Sequence, residues 1–270
     1  MNRTAVRIAA PLALGLLALV AWQLLAASGV VDDYLLPSPL AIATEIGEFF
    51  PSLVGSALIT GTNSLIGLVA GSLLGIVLAL LASRAVLFDD ALAPIVAGLA
   101  VVPIVALAPV LNTMFGADSQ FSRQAIAALA TFVPVFVNTL RGLRQTRAVH
   151  RDLLRVYAAT PGQVTRNLTL PTARPFIFTG IRIASSLSVI SALVAEYFGG
   201  PRGGLGGLIS TSAASSAYAR AWAYVVGSIV LGLLFFVVTS AMERLATPSS
   251  SRPSRRAGDT PLHNQSKGTT

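Results

Sequence analysis

From Phe49 to Ser83 the chain carries no charged side chain for 35 residues. An apolar run of about 20 residues already crosses the hydrocarbon core of a bilayer as a helix. Similar windows flank it: Ala9 to Ala27, the 27 residues between Asp90 and Asp118, Gln124 to Leu140, Pro175 to Glu196 with Arg182 inside, and the 22 residues from Ala221 to Met242. In lipid every backbone N–H and C=O must find its partner within the protein, and windows of this length suit helices. Charged residues make up 11% of the chain, against about 25% in a soluble domain, which excludes an ordinary soluble enzyme. The expected fold class is all-α: a polytopic membrane domain of six transmembrane helices over residues 1–246, followed by a basic tail over 247–270.

The longest window exceeds what one helix needs, so a short interfacial segment is expected before a span from about Thr62 to Leu81. Gly67, Gly71 and Gly75 then share one helical face in two overlapping GxxxG patterns, which let another backbone approach closely. The plain alternative is that glycine is common in membrane helices. Pro94, Pro103 and Pro109 predict a kinked or broken third span. Broken backbone at membrane depth is tolerated only against protein or a cavity, so this segment is expected to face inward. Arg182 is expected to snorkel to the interface rather than to join a buried ion pair. The first window has a rival reading as a cleavable signal peptide, from Arg3 and Arg7 and the small residues Ala26, Ala27 and Ser28. The apolar part of such peptides typically runs only about 7 to 15 residues.

Lys and Arg in the connections fix the expected orientation. One side collects fifteen of them, including Arg3, Arg7, Arg84 and seven arginines from Arg141 to Arg174. The other side has Arg123, Arg202 and Arg220. By the positive-inside rule the fifteen-residue side is cytoplasmic, with both termini there. The net charge of +8 is thereby explained without nucleic acid. The tail over 247–270, rich in Ser, Pro, Thr and Arg, is expected to be a disordered cytoplasmic extension that could touch anionic membrane lipid.

The chain has no cysteine, two histidines and eleven carboxylates, little material for a metal centre or a catalytic pair. It contains no GxxxxGK[ST] phosphate loop, so it is expected to bind no nucleotide and no cofactor of its own. The glycine-rich stretch Gly199 to Gly207 does not satisfy GxGxxG and reads as a flexible re-entry on the external side, where it could also contact a substrate-delivering protein. Polar groups at depth are costly and often face a cavity, which singles out Asn112, Asn138 and Glu196 as pathway candidates. Their alternatives are interhelical hydrogen bonding for Asn138 and a headgroup position for Glu196.

Spans four and five are joined by about 34 residues, roughly 141–174, far more than a helix connection requires. Leu153, Leu154 and Tyr157 recur at three- and four-residue spacing, predicting a short amphipathic helix with Arg151, Asp152 and Arg155 elsewhere on its surface. Thr160, Pro161 and Gln163 then form an N-cap, a first-turn proline and a capping box for a second helix. That helix is expected to end at the membrane with Leu168, Leu170 and Pro171. On physical grounds alone the pair could rest on lipid headgroups or dock a partner.

The spacing resembles the EAA loop of bacterial ABC importer permeases: E-A-A, three residues, G, nine residues, I-x-L-P. Asp152, Leu153 and Leu154 stand at the acid and the two alanines, Ala158 at the glycine, and Leu168, Leu170 and Pro171 at the end. The sequence departs by lacking the Glu, the paired alanines and the turn glycine. Leu36-Pro37-Ser38-Pro39, Leu170-Pro171 to Pro175, Ala195-Glu196 to Gly199 and Gly204-Leu205-Gly206 also resemble the nitrate/sulfonate/taurine branch of the binding-protein-dependent inner-membrane components. The likeness covers about Leu36 to Leu245.

The resemblance implies a type I ABC importer permease in the bacterial inner membrane, working as a homodimer above a pair of cytoplasmic ATPase subunits that bind ATP and Mg²⁺. A periplasmic or lipoprotein solute-binding protein would deliver the substrate. The helix at about Asp152 to Ala159 would be the coupling helix, with Leu153, Leu154 and Tyr157 as anchors and Arg151 and Arg155 as rim. Ala158 replaces glycine at little cost if the turn needs no positive φ; otherwise Gly162 could supply the left-handed residue. Ala195 to Gly200 and Ala221 to Tyr224 resemble members that import aromatic heterocycles, such as thiamine-pyrimidine precursors or riboflavin, with a nitrate- or sulfonate-like anion as the other reading. An ATP-independent secondary transporter or channel is the alternative class. Such proteins often show two similar halves, and none are evident in this sequence.

Overall fold

A computed structural model describes residues 3–32, 34–116, 119–199 and 203–246. The expected tail over 247–270, and Arg202 of the orientation argument, lie outside them. The described residues are helical throughout, with no strand: α1 (Arg3–Ala27), α2 (Pro39–Glu48), α3 (Phe50–Ala82), α4 (Val86–Val101), α5 (Ile104–Phe115), α6 (Gln120–Arg144), α7 (Ala148–Val156), α8 (Pro161–Val164), α9 (Leu170–Phe198), α10 (Leu205–Ala214) and α11 (Tyr218–Ala246). Five stretches, in α1, α3, α6, α8–α9 and α11, are long and apolar enough to span a membrane, and the bent pair α4–α5 makes a sixth.

The interfacial segment lies earlier than expected, in α2, whose N-terminus is capped by the Ser38 hydroxyl accepting from the Ala41 N–H at 3.1 Å. α3 follows as one unbroken helix of 33 residues. At 1.5 Å per residue it is about 50 Å long, more than the roughly 30 Å hydrocarbon core, so its ends stand in the interfaces.

α6 is the central element, packed between α3 and α9. Gly67, Gly71 and Gly75 all face α6: a Cβ on Gly71 would strike the Thr131 hydroxyl and the Ala128 carbonyl, and one on Gly75 would meet Phe132 O and Phe136 N at 3.0 Å. Thr131 Oγ1 donates to Gly67 O at 3.1 Å, tying the two backbones directly. Ala79, Ala82, Phe132, Phe136 and Leu143 form the core beside this seam, and Val96 of α4 joins it.

The third span breaks at Val102–Pro103, where Val102 leaves helical geometry at ψ 122°. Its expected inward position does not hold within the chain. Among its described side chains Val96, Ala108 and Asn112 are buried, while Leu87, Ile95, Val101, Val110 and Met114 are exposed. α6 has already committed its two best faces to α3 and α9, so α4 and α5 gain a narrow contact each. Arg144 of α6 reaches Asp89 of α4 at 2.5 Å and fastens the start of the broken span.

Three further expectations are corrected. Pro171 does not end the helix that carries Leu168 and Leu170. A π-helical turn over Thr165–Thr169 leads straight into α9, and the Leu170 N–H reaches Thr165 O, five residues back. Pro171 sits in the first turn of α9, where a missing N–H costs least. Arg182 does not snorkel alone. It pairs with Glu243 of α11 at 2.8 Å, and Thr179 Oγ1 donates to the same carboxylate at 2.6 Å. Arg123 is not in an external connection: α6 begins before it at Gln120, and its side chain is fully buried.

Candidate functional site

The loop after α6 presents α7, nine residues with no buried side chain. It begins four residues before the expected Asp152, because Ala148 and Val149 continue the helical pattern backwards. Val149, Leu153 and Val156 stand on one face and are 73%, 54% and 83% exposed. Arg151 and Arg155 stand on the opposite face, where Arg155 pairs with Asp152 at 3.3 Å. Leu154 is half-buried and belongs to neither face, and Tyr157 is the C-cap rather than part of the helix. Val149 and Val156 complete an uncovered apolar stripe. The sequence reading missed them because it anchored the helix at Asp152.

α7 ends in a left-handed turn at Ala158, whose φ is 53°. The Ala158 N–H reaches Arg155 O at 2.9 Å and the Ala159 N–H reaches Leu154 O at 3.0 Å, the pairing of a Schellman C-cap. Gly162 does not supply the positive φ. It lies inside α8, where Thr160 N donates to Gln163 Oε1 at 2.8 Å and Gln163 N to Thr160 Oγ1 at 3.4 Å in a complete capping box. A side chain in the left-handed region costs about 1–2 kcal/mol. Ala158→Gly is therefore expected to protect the α7 C-terminal amides roughly fivefold more in hydrogen exchange, less whatever the added unfolded-state freedom of glycine takes back.

At the other end of α6 lies a buried polar cluster. Glu196 of α9 accepts from Thr60 Oγ1 at 2.8 Å, Asn63 Nδ2 at 3.3 Å and Gly206 N at 3.2 Å. Thr60 Oγ1 in turn accepts from Leu205 N at 2.8 Å. Asn63 Nδ2 and Arg123 Nη1 both donate to Gln120 Oε1, at 2.8 and 2.9 Å. The cluster holds the start of α10 against α3 and α9, and a Cβ on Gly204 or Gly206 would strike the Glu196 side chain. The sequence reading picked Glu196 from this group but not Thr60, Asn63, Gln120 or Arg123.

Asn112 lies beside the cluster, donating to Ala195 O at 3.3 Å and accepting from Ser122 Oγ at 2.5 Å. Asn138 is apart from both, with its amide donating to Pro134 O of its own helix at 2.8 Å. Within one chain Asn112 and Glu196 are thus buried and hydrogen-bonded, and Asn138 stands near Gly180 of α9. Thr60→Val removes one donor from a buried carboxylate and one acceptor from Leu205 N. It is expected to cost about 1–3 kcal/mol, read as a lowered unfolding midpoint of the detergent-solubilised protein.

Long apolar helices and a mid-chain loop with an exposed amphipathic helix describe a membrane-spanning chain that leaves one surface for a partner. The profile of the binding-protein-dependent transport system inner membrane component family matches residues 71–248. The chain belongs to that family. This permease is 35% identical over 189 residues to the formylaminopyrimidine transport permease protein ThiX of Halalkalibacterium halodurans, covering 70% of this chain and 75% of that one. It is 29% identical over 225 residues to the putative aliphatic sulfonates transport permease protein SsuC of Bacillus subtilis, covering 83% and 81%. An inward-facing structure of the MetNI methionine ABC transporter shares the fold, with a TM-score of 0.57 at 17% identity over 74% of the permease and 96% of that chain. The permease is accordingly the inner-membrane component of an ABC importer, a transport subunit and not an enzyme, and its family works with an ATPase and a solute-binding protein. The ATP-independent class is set aside.

Proposed function

We propose that the permease acts as a homodimer, with both termini cytoplasmic, and that α7 is the coupling helix seated in a groove of each ATPase subunit. The exposed apolar stripe of Val149, Leu153 and Val156 carries this reading, because an uncovered apolar helix face at a protein surface calls for a partner. ATP and Mg²⁺ bind the ATPase pair, and this chain binds neither. The exposed apolar faces of α4 and α5, together with the backbone break between them, support a second copy against this side, since unpaired backbone at membrane depth requires protein cover. The solute pathway then runs between the two copies.

The solute is an aromatic heterocycle of the thiamine-pyrimidine class, with riboflavin-like compounds next and a sulfonate- or nitrate-like anion as the second reading. Of the five arginines in α6 and α9, Arg141, Arg144 and Arg174 stand at the loop-side ends, and the other two are engaged: Arg123 with Gln120 and Arg182 with Glu243. An anion pathway would call for open cations or helix N-termini at mid-depth. The test is uptake into proteoliposomes containing the permease, its ATPase and its binding protein. Labelled formylaminopyrimidine should accumulate on ATP addition and an alkanesulfonate should not; the reverse pattern overturns the assignment. Because the chain lacks cysteine, Val149→Cys gives a single label site. An impermeant maleimide should react with it in inverted vesicles only.

A further inference from the structure

The loop-side ends of α3 and α6, the arginine face of α7 and the α8 turn border a half-open groove of about 420 Å³. Leu80, Pro161 and Val164 form its accessible apolar part, and Arg84, Arg151 and Arg155 with the Thr165 hydroxyl its polar part. Arg155 has Asp152 beside it. Arg84 and Arg151 have no carboxylate partner among the described residues. Two uncompensated guanidinium groups bordering one groove repel each other, and an anion between them turns that repulsion into attraction.

We propose that this groove binds the phosphodiester headgroup of an anionic phospholipid, held behind the coupling helix. The groove lies where two spanning helices end, which is the level of the headgroups. The guanidinium groups match phosphate oxygens in paired hydrogen bonds. Leu80, Pro161 and Val164 receive the glycerol and the first methylenes, which a free inorganic anion would leave uncovered. Val149, Leu153 and Val156 remain outside on the opposite face of α7, so the lipid and the ATPase would hold the two sides of the same helix.

The placement at the inner leaflet rests on the orientation proposed above, whereas the measurement does not. Purified permease, without ATPase, is stripped of lipid, titrated with phosphatidylglycerol or phosphatidylcholine, and read by native mass spectrometry. Phosphatidylglycerol should be retained at least tenfold better. An arginine facing an anionic headgroup is worth about fivefold in affinity, so Arg84→Gln with Arg151→Gln should weaken phosphatidylglycerol by about 25-fold. Arg84→Lys with Arg151→Lys should keep most of the binding and shows that loss of charge, not misfolding, is responsible. Equal retention of the two lipids, or phosphatidylglycerol binding untouched by the glutamine pair, overturns the proposal. Inorganic phosphate binding as tightly as phosphatidylglycerol overturns it too and assigns the groove to a free anion. Val149→Cys labelling from the outside would move the site to the other leaflet and leave the lipid titration to stand or fall separately.

Discussion

Leu153→Glu should abolish the stimulation of ATPase activity by loaded binding protein while the permease still inserts and folds. Leu153 sits at the middle of the uncovered stripe on α7, with Val149 and Val156 on either side. A central apolar anchor in an interface typically contributes about 2–4 kcal/mol on truncation, and burying a carboxylate in its place adds a desolvation penalty. ATPase association measured by pull-down should fall at least 30-fold, and transport should fall with it. Leu154→Glu is the informative comparison. Leu154 is half-buried against the protein and its carbonyl closes the Ala158 turn, so that variant should lower the unfolding midpoint as well as docking. Full stimulation by Leu153→Glu permease would remove α7 from the role of coupling element.

The second large effect is expected at the seam of α3 and α6. Gly71→Ala places a methyl group against the Thr131 hydroxyl and the Ala128 carbonyl. Neither can withdraw, since Ala128 O belongs to helix backbone and Thr131 is already bonded to Gly67 O. Overpacking of this kind costs about 1–3 kcal/mol when side chains relax and more when backbone must move; Gly71→Leu should leave little folded material. Gly55→Ala lies in the same helix with nothing within 4 Å of the added carbon. It should be neutral or stabilising by about 0.5–1 kcal/mol, because alanine is the better helix residue. Fluorescence-detected size exclusion after graded heating separates the two outcomes.

Much of this architecture was legible in the chain because its causes are local. The capping box at Thr160 and Gln163 needs three residues of context, and the glycine register of α3 only the helical repeat. The break at Pro103 follows from the ring itself. Other features depend on partners far away in sequence. Arg123 counts as an external charge until Gln120 and the carboxylate of Glu196, more than 70 residues on, are seen beside it. Thr60 and Asn63 lie within an uncharged window, on either side of the expected boundary between interfacial segment and span. Their function is evident only once α9 and α10 are packed on α3. The left-handed turn at Ala158 was visible as a position but not as a conformation, since alanine gives no sign of positive φ.

One consequence follows from the continuity of α6. It runs from Gln120 to Arg144 without interruption, about 37 Å at 1.5 Å per residue. Its last turn feeds the segment proposed to dock the ATPase and holds Asp89, while its first turn is bolted to Asn63 through Gln120. Pro134 leaves one backbone hydrogen bond unmade in its interior, yet the helix is continuous, and movement of one fixed end carries to the other. On the proposed docking of α7, strokes delivered by the engine arrive at the far mouth as displacement of the small helix seated on Glu196.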